Sequence, residues 1–425
     1  MTKIRILSNI LFLSTALLFT ACSQKEPVVK IKKSDLIKST KLANNTFMNQ
    51  NKESDKYLRK YFNPWKQNKV TYTIKDATWG FSYKNKTVYL ENHIKADEKW
   101  FNKQIDNSNF EKYNTLLKKA IILKNTNIRV FPTSSPMFYN PNKAGEGFPF
   151  DYNQNSAIKI NTPIFVSHYS KDKAWVYMQS NSVGGWIHIR DIAFVDEEFI
   201  NEFKTNNYSV AIEEKFPIYD NTFREYVKVA TIFPKAANKY IIAKKDFDNN
   251  AIITYIDINP NSVESMPLEF NSKNRIKIAK ALLDEPYGWG GLLNNRDCSS
   301  FTQDFFAPFG KYLSRNSKAQ TKNGKYHDIS SFSKKQKKEY IRKNAVPFST
   351  LVYLKGHIML YIGQKQNEPL VMHNMWSVRL KDKYGKKYRH IIGKATITTL
   401  EPGKELKDFD ENNNVLRQVK GIVIL

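Results

Sequence analysis

Cys298, His357 and His373 are the residues of this 425-residue chain whose types and settings suit nucleophilic catalysis. A thiol nucleophile needs an imidazole to take its proton, and that imidazole needs a third group to fix its tautomer. Cys298 lies in the run Arg296-Asp297-Cys298-Ser299-Ser300-Phe301, just after the glycine-rich turn Pro286-Tyr287-Gly288-Trp289-Gly290-Gly291. Asp297 or a neighbour is suited to cap a helix beginning near Cys298, and Phe301, Phe305 and Phe306 give that helix an apolar face. A cysteine in a first helical turn sits at the positive end of the dipole, which favours thiolate. Unpaired N–H groups there also suit an oxyanion. The segment Gly356 to Gly363 reads as a strand with His357, Met359 and Tyr361 on one face and Ile358, Leu360 and Ile362 on the other. Pro369 to His373 reads as a second strand ending in histidine. Taken singly, a buried core thiol and satisfied strand histidines are the plainer readings; the three together fit a nucleophile, a base and an orienting group. A Cys/His metal site lacks a fourth ligand and any Cys-x-x-Cys or His-x-His spacing, so no metal is expected.

The elements that must hold these residues begin near Val263. Ile276, Ala279 and Leu283 recur at helical spacing, with Ile278 and Leu282 beside them, and Pro286 closes the segment. Ser333 to Lys343 is basic and amphipathic, the text of a solvated helix face. Upstream, from about Asn125, short alternating runs broken by Pro, Gly and Asn predict a small β-barrel, with strands at Ala174–Met178 and Gly185–Ile189. A second run of short strands, about Tyr208 to Ile258, predicts another. Residues 35–122 mix helical stretches with aromatic islands, Phe62-Asn63-Pro64-Trp65 and Trp100-Phe101, whose expected role is packing.

Hydrophobic residues make up 41% of the chain and aromatics 13%, enough for real cores, and the length suits two to four modules. The 67 Lys and Arg against 40 Asp and Glu leave a formal charge of +27, which calls for an acidic partner. The N-terminus narrows the choice. Lys3 and Arg5 precede an apolar stretch from Ile6 to about Ala21, too short for an ordinary membrane span, which reads as a secretory leader. Its end, Leu18-Phe19-Thr20-Ala21-Cys22, resembles a lipoprotein processing site. That resemblance implies a lipid on Cys22, a tether over 22–34 and a membrane anchor, with Ser23 leaning towards the outer membrane. Export removes nucleic acid as a partner. With Cys22 acylated, Cys298 is the single remaining thiol and no intramolecular disulfide can form.

The Tyr-x-Trp-Gly-Gly turn, the Asp-Cys-Ser step, the His-x-x-x-Tyr-x-Gly strand and the later strand histidine resemble the NlpC-type peptidases. The chain is similar to an arrangement in that family of a helical clip, two SH3-like barrels and a papain-like catalytic domain. The implied fold is α+β, with a leader at 1–21, tether at 22–34, clip at 35–122, barrels at 123–198 and 199–262, and a peptidase domain at 263–425. The resemblance implies hydrolysis of the γ-D-glutamyl–diamino acid bond of peptidoglycan stem peptides in the cell envelope, facing the periplasm, with no cofactor. Cys298 is then the nucleophile, His357 the base and His373 its orienting partner. Tyr287 assists the oxyanion, while Asp297 and Ser299 hold substrate, in some relatives a free N-terminal amine. Ser300 stands where many relatives have glycine. The rival reading is an inactive, wall-binding lipoprotein; a further one keeps the enzyme but makes it an amidase or acyl transferase.

Overall fold

A computed structural model describes residues 50–425 apart from Ala144. The leader, Cys22, the tether and the first residues of the clip lie outside the described residues. The first long helix, α1 (Gln50–Tyr61), runs into the Phe62–Trp65 island. Phe62 and Trp65 are buried against Ile121, Phe199, Phe203, Tyr208 and Ile232, so the island wedges between two β modules. Trp65 Nε1 donates to the Ala120 carbonyl at 2.8 Å and Tyr61 Oη to that of Asn161 at 2.8 Å. Each polar tip thus finds a partner inside an apolar wedge. The second island sits on α2 (Glu98–Asn107), where Trp100 and Phe101 pack on Phe131.

The first β module comprises β1 (Lys118–Ile122), β2 (Thr126–Arg129), β3 (Gln154–Ile158), β4 (Pro163–Tyr169), β5 (Trp175–Gln179), β6 (Gly184–His188) and β7 (Ile192–Phe194). They form one antiparallel sheet ordered β3-β2-β6-β5-β4-β1-β7 around Ile128, Val166, Val176 and Ile187. After α3 (Glu197–Phe203) come β8 (Tyr208–Ala211), the ribbon β9 (Phe216–Asp220) and β10 (Thr222–Val227), then β11 (Ile232–Ala236), β12 (Lys239–Lys245), β13 (Ala251–Ile256) and β14 (Val263–Ser265). The sheet order is β13-β12-β11-β8-β14. Phe216, Ile218 and Val227 of the ribbon close a core with Phe233, Tyr240 and Ile242.

The C-terminal module places α4 (Ser272–Leu282) and α5 (Cys298–Phe306) on one face of a six-stranded sheet and α6 (Lys334–Asn344) on the other. Its strands are β15 (Lys325–Asp328), β16 (Thr350–Leu354), β17 (His357–Lys365), β18 (Glu368–Lys381), β19 (Lys387–Thr399) and β20 (Val419–Ile424), ordered β15-β20-β16-β17-β18-β19. The period-two alternation of β17 is realised: Ile358, Leu360 and Ile362 meet Phe301 and Phe305 of α5, and Met359 and Tyr361 meet Ile341 of α6. Fully burying each phenylalanine of α5 contributes roughly 1.5–3 kcal/mol, so the helix carrying Cys298 is firmly seated.

Two devices dock the modules. Gly290 and Gly291 have φ of +58° and +88°, and a Cβ on them would lie 2.5 Å from the Gln154 carbonyl oxygen and 2.4 Å from the Ala157 Cβ. The glycines therefore serve close approach to β3 as well as the turn. Beneath them a buried ion network joins three modules. Arg296 binds Glu214 with two bonds of 2.9 and 2.7 Å and Asp304 at 2.6 Å, and Lys159 of the first β module completes the pair with Asp304.

Candidate functional site

Asp297 caps α5: its carboxylate accepts from the Ser299 and Ser300 N–H groups at 3.1 and 2.8 Å. The Ser300 hydroxyl accepts from the Asp297 N–H at 2.9 Å, closing a capping box. Serine at 300 thus completes the helix start that glycine could not. With those two N–H groups taken, the Cys298 N–H is the first-turn donor with no hydrogen-bond partner among the described residues.

The thiol is 7% exposed and lies on a cleft of about 700 Å³. Its walls come from three regions: Trp79 and Tyr83 of the N-terminal segment, Tyr152 and Tyr177 of the first β module, and Tyr287 and Trp289 of the C-terminal module. The helix end was expected to favour thiolate, but the balance falls the other way. Burial, with the Asp297 charge second, pushes the Cys298 thiol up to about 12, against the smaller help of the Ile358 and Ser299 N–H groups and Arg315. A dipole end stabilises an anion by about a kilocalorie, and desolvation outweighs that here.

The histidines form a chain. His357 Nε2 lies 2.7 Å from His373 Nδ1, and His373 Nε2 lies 3.0 Å from Thr398 Oγ1. The Thr398 hydroxyl donates its single hydrogen to the Thr399 carbonyl at 2.7 Å, so towards His373 it can only accept. His373 therefore carries its proton on Nε2 and presents a lone pair at Nδ1. His357 must donate from Nε2, which leaves its Nδ1 free as a base. These tautomers are assigned from the network. Burial holds His357 down to about 4 despite Asp297, and burial with His357 beside it holds His373 well below the usual imidazole range. Both rings are neutral at pH 7. Among the described residues no hydrogen bond joins Cys298 to His357.

Tyr287 is held beside Cys298 by its N–H bond to the Gly393 carbonyl at 2.8 Å and by Trp376, whose ring centroid is 6.0 Å away. Burial, then the neighbouring Cys298 and Asp297, raises its hydroxyl well above its usual value, so it stays a neutral donor. Gly393, at φ +66°, marks an extra residue in β19 between the pairs Met375–Lys394 and Ser377–Ile391.

Arg315 escaped sequence reasoning. Its guanidinium grips Asp297 at 2.7 and 3.1 Å, Ser299 Oγ at 2.9 Å and Ser156 Oγ of β3 at 2.8 Å. Asp297 and Ser299 are thus engaged with the cap and with Arg315. Arginine holds Asp297 below the usual carboxylate range in spite of its burial. Thr398 was missed as well, since nothing in a Thr-rich strand marks it. Among the described residues no cluster of three His, Cys, Asp or Glu suits a metal ion.

Residues 284–390 match the NlpC/P60 family, residues 11–113 the N-terminal stabilising domain of NLPC_P60 proteins, and residues 136–188 an SH3 domain of the SH3b1 type. An NlpC/P60 endopeptidase from Photobacterium damselae subsp. piscicida has the same fold, with a TM-score of 0.85 at 24% identity over 93% of this chain and 97% of that one. An NlpC/P60 family protein from Bacillus cereus matches at a TM-score of 0.46 and 16% identity, over 72% of this chain and 98% of that one. No match to a curated protein is found. The fold is a mixed helix-and-strand architecture in which an SH3 domain precedes an NlpC/P60 catalytic domain, and members of the NlpC/P60 family are cysteine peptidases. The chain therefore carries an NlpC/P60 family domain over residues 284–390, with an NLPC_P60 N-terminal stabilising domain and an SH3 domain ahead of it.

Proposed function

We propose that this chain is a lipid-anchored cysteine endopeptidase of the cell envelope that hydrolyses the γ-D-glutamyl–diamino acid bond of peptidoglycan stem peptides. The observation that carries the reading is the tautomer chain Thr398–His373–His357, which leaves His357 Nδ1 as a base nitrogen. With the thiol near 12 and the imidazole near 4, a resting ion pair is disfavoured and proton transfer accompanies attack. The Cys298 proton passes to His357 Nδ1 as sulfur bonds to the scissile carbonyl carbon. The Tyr287 hydroxyl and the Cys298 N–H receive the oxyanion. On collapse the C–N bond breaks, the imidazolium returns its proton to the leaving amine, and water then hydrolyses the thioester by the same base. Asp297 and Ser299, tied by Arg315, form the polar floor against which the peptide lies. Export through the leader and a lipid on Cys22 place the cleft on the periplasmic side, at the outer membrane.

The test compares the mature, unlipidated chain with its Cys298→Ala variant on purified stem tetrapeptide and on muropeptides, with products weighed by mass spectrometry. Release of an Ala–Glu dipeptide by the wild type alone is expected. Cleavage at a different bond, or none by either chain, refutes the assignment.

A further inference from the structure

Beyond the site, the two longest strands of the sheet, β18 and β19, extend past the catalytic core as an arm turning at Asp382–Lys386. Arg379 stands directly opposite Arg389, and Lys381 opposite Lys387. Like charges facing each other across a ladder destabilise it, and here two such pairs follow at a spacing of two, placing four cations on one face. None of the four is in an ion pair among the described residues. The acids nearby are engaged elsewhere: Asp382 accepts the Tyr384 and Lys386 N–H groups at 2.9 and 2.8 Å, and Asp408 accepts the Tyr388 hydroxyl at 2.7 Å. The equally basic helix α6 differs. There Lys334 and Lys338 are bridged to Glu401, Glu411 and Glu368, and Lys343 to Glu339, as a solvated structural face would be.

The arm is rooted in the site. Arg379 and Lys381 share the strand face of His373, six and eight residues on, so the cations begin about 20 Å from the histidine and reach about 26 Å. At the root Trp376 packs between Tyr287 and Phe148, ring centroids 6.0 Å from each. Arg389 lies beside the loop at Gly145. Anything held by the arm is therefore continuous with what enters the cleft. A flat membrane seated there would cover the cleft mouth, whereas a polymer bearing spaced carboxylates can occupy both.

We propose that the β18–β19 arm is a docking surface for carboxylates of neighbouring stem peptides, so that the enzyme engages polymeric wall rather than released fragments alone. This rests on the peptidoglycan reading above, but its test does not depend on which bond is cut. In the Cys298→Ala chain, co-sedimentation with purified sacculi is measured at rising salt for the otherwise native protein and for one also bearing Arg379→Gln, Lys381→Gln, Lys387→Gln and Arg389→Gln. A control carries Lys99→Gln, Lys103→Gln, Lys112→Gln and Lys322→Gln, of equal charge change at other exposed sites. Further arms use sacculi with amidated carboxylates and vesicles of anionic lipid. The expected result is salt-sensitive binding, about tenfold weaker in the arm variant, little changed in the control, and lost on amidated sacculi. Equal binding by the arm variant, an equal loss in the control, or a loss confined to lipid vesicles would overturn the proposal. A matching circular dichroism melt for the arm variant shows that folding is not the cause of any loss.

Discussion

Replacing Thr398 with valine keeps the shape of a fully buried side chain and removes the one hydroxyl that fixes the histidine tautomers. His373 is itself fully buried, so its Nε2–H is left without an acceptor. An unsatisfied buried donor costs about 1–3 kcal/mol. The ring can escape that cost by moving its proton to Nδ1, but then it donates to His357 Nε2 and drives the His357 proton onto Nδ1, where the base lone pair is required. Either route lowers the population of competent base by the same 1–3 kcal/mol, which is about a 5- to 150-fold fall in kcat. KM should change little, because Thr398 touches no part of the cleft. Thr398→Ser restores the hydroxyl and should restore most of the rate. Steady-state cleavage of stem tetrapeptide gives kcat and KM, and nitrogen NMR of labelled imidazoles reports which ring nitrogen bears the proton. A valine variant with native kcat and an unchanged His357 tautomer would sink the reasoning.

The remaining predictions follow from burial and charge. Inactivation by iodoacetamide should rise about tenfold per pH unit from 7 to 10, as expected for a thiol near 12, and Arg315→Gln should slow it at each pH by leaving Asp297 uncompensated; a plateau below pH 8 would indicate a preformed ion pair. His357 and His168 are held at about 4 and His373 well below 6.5. The folded chain therefore binds fewer protons on these rings than the unfolded chain, and stability should fall as pH drops from 6.5 towards 4, by roughly 3 kcal/mol for each ring held at about 4. Urea midpoints that stay level over that window would contradict the burial argument. Asp304→Ala strips Arg296 and Lys159 of a shared buried partner and should destabilise the chain by about 3–5 kcal/mol, read from urea unfolding; a loss under 1 kcal/mol would mean that the network is solvated.

What could be read in advance was what depends on near neighbours in sequence. Asp297 announces a helix start because a cap acts over three residues, and β17 shows its two faces because helices cover both sides of it. The cysteine and histidines were identifiable through the glycine turn and strand ends around them. Thr398 was not, since its partner comes from an adjacent strand, two places off the His373–Thr396 pairing, and register is a tertiary outcome. Arg315 reaches Asp297 from a loop, with no periodicity to point to it. Gly290 and Gly291 read as a turn but also make room for another module, which no local rule reveals. The thiol's ionisation went the wrong way for a related reason: the dipole is a local feature, whereas the burial that outweighs it is made by three separate regions.

The extra residue at Gly393 governs how this chain tolerates changes of length. Strand faces alternate strictly, so a residue inserted or deleted between Gly393 and Thr398 would turn Thr398 away from His373, and one removed at the bulge would shift the Tyr287 anchor together with the phase of every arm residue on β19. Residues added at the Asp382–Lys386 tip leave both roots in step. The arm can therefore be extended, or a peptide grafted at its tip, while the chemistry below keeps its register.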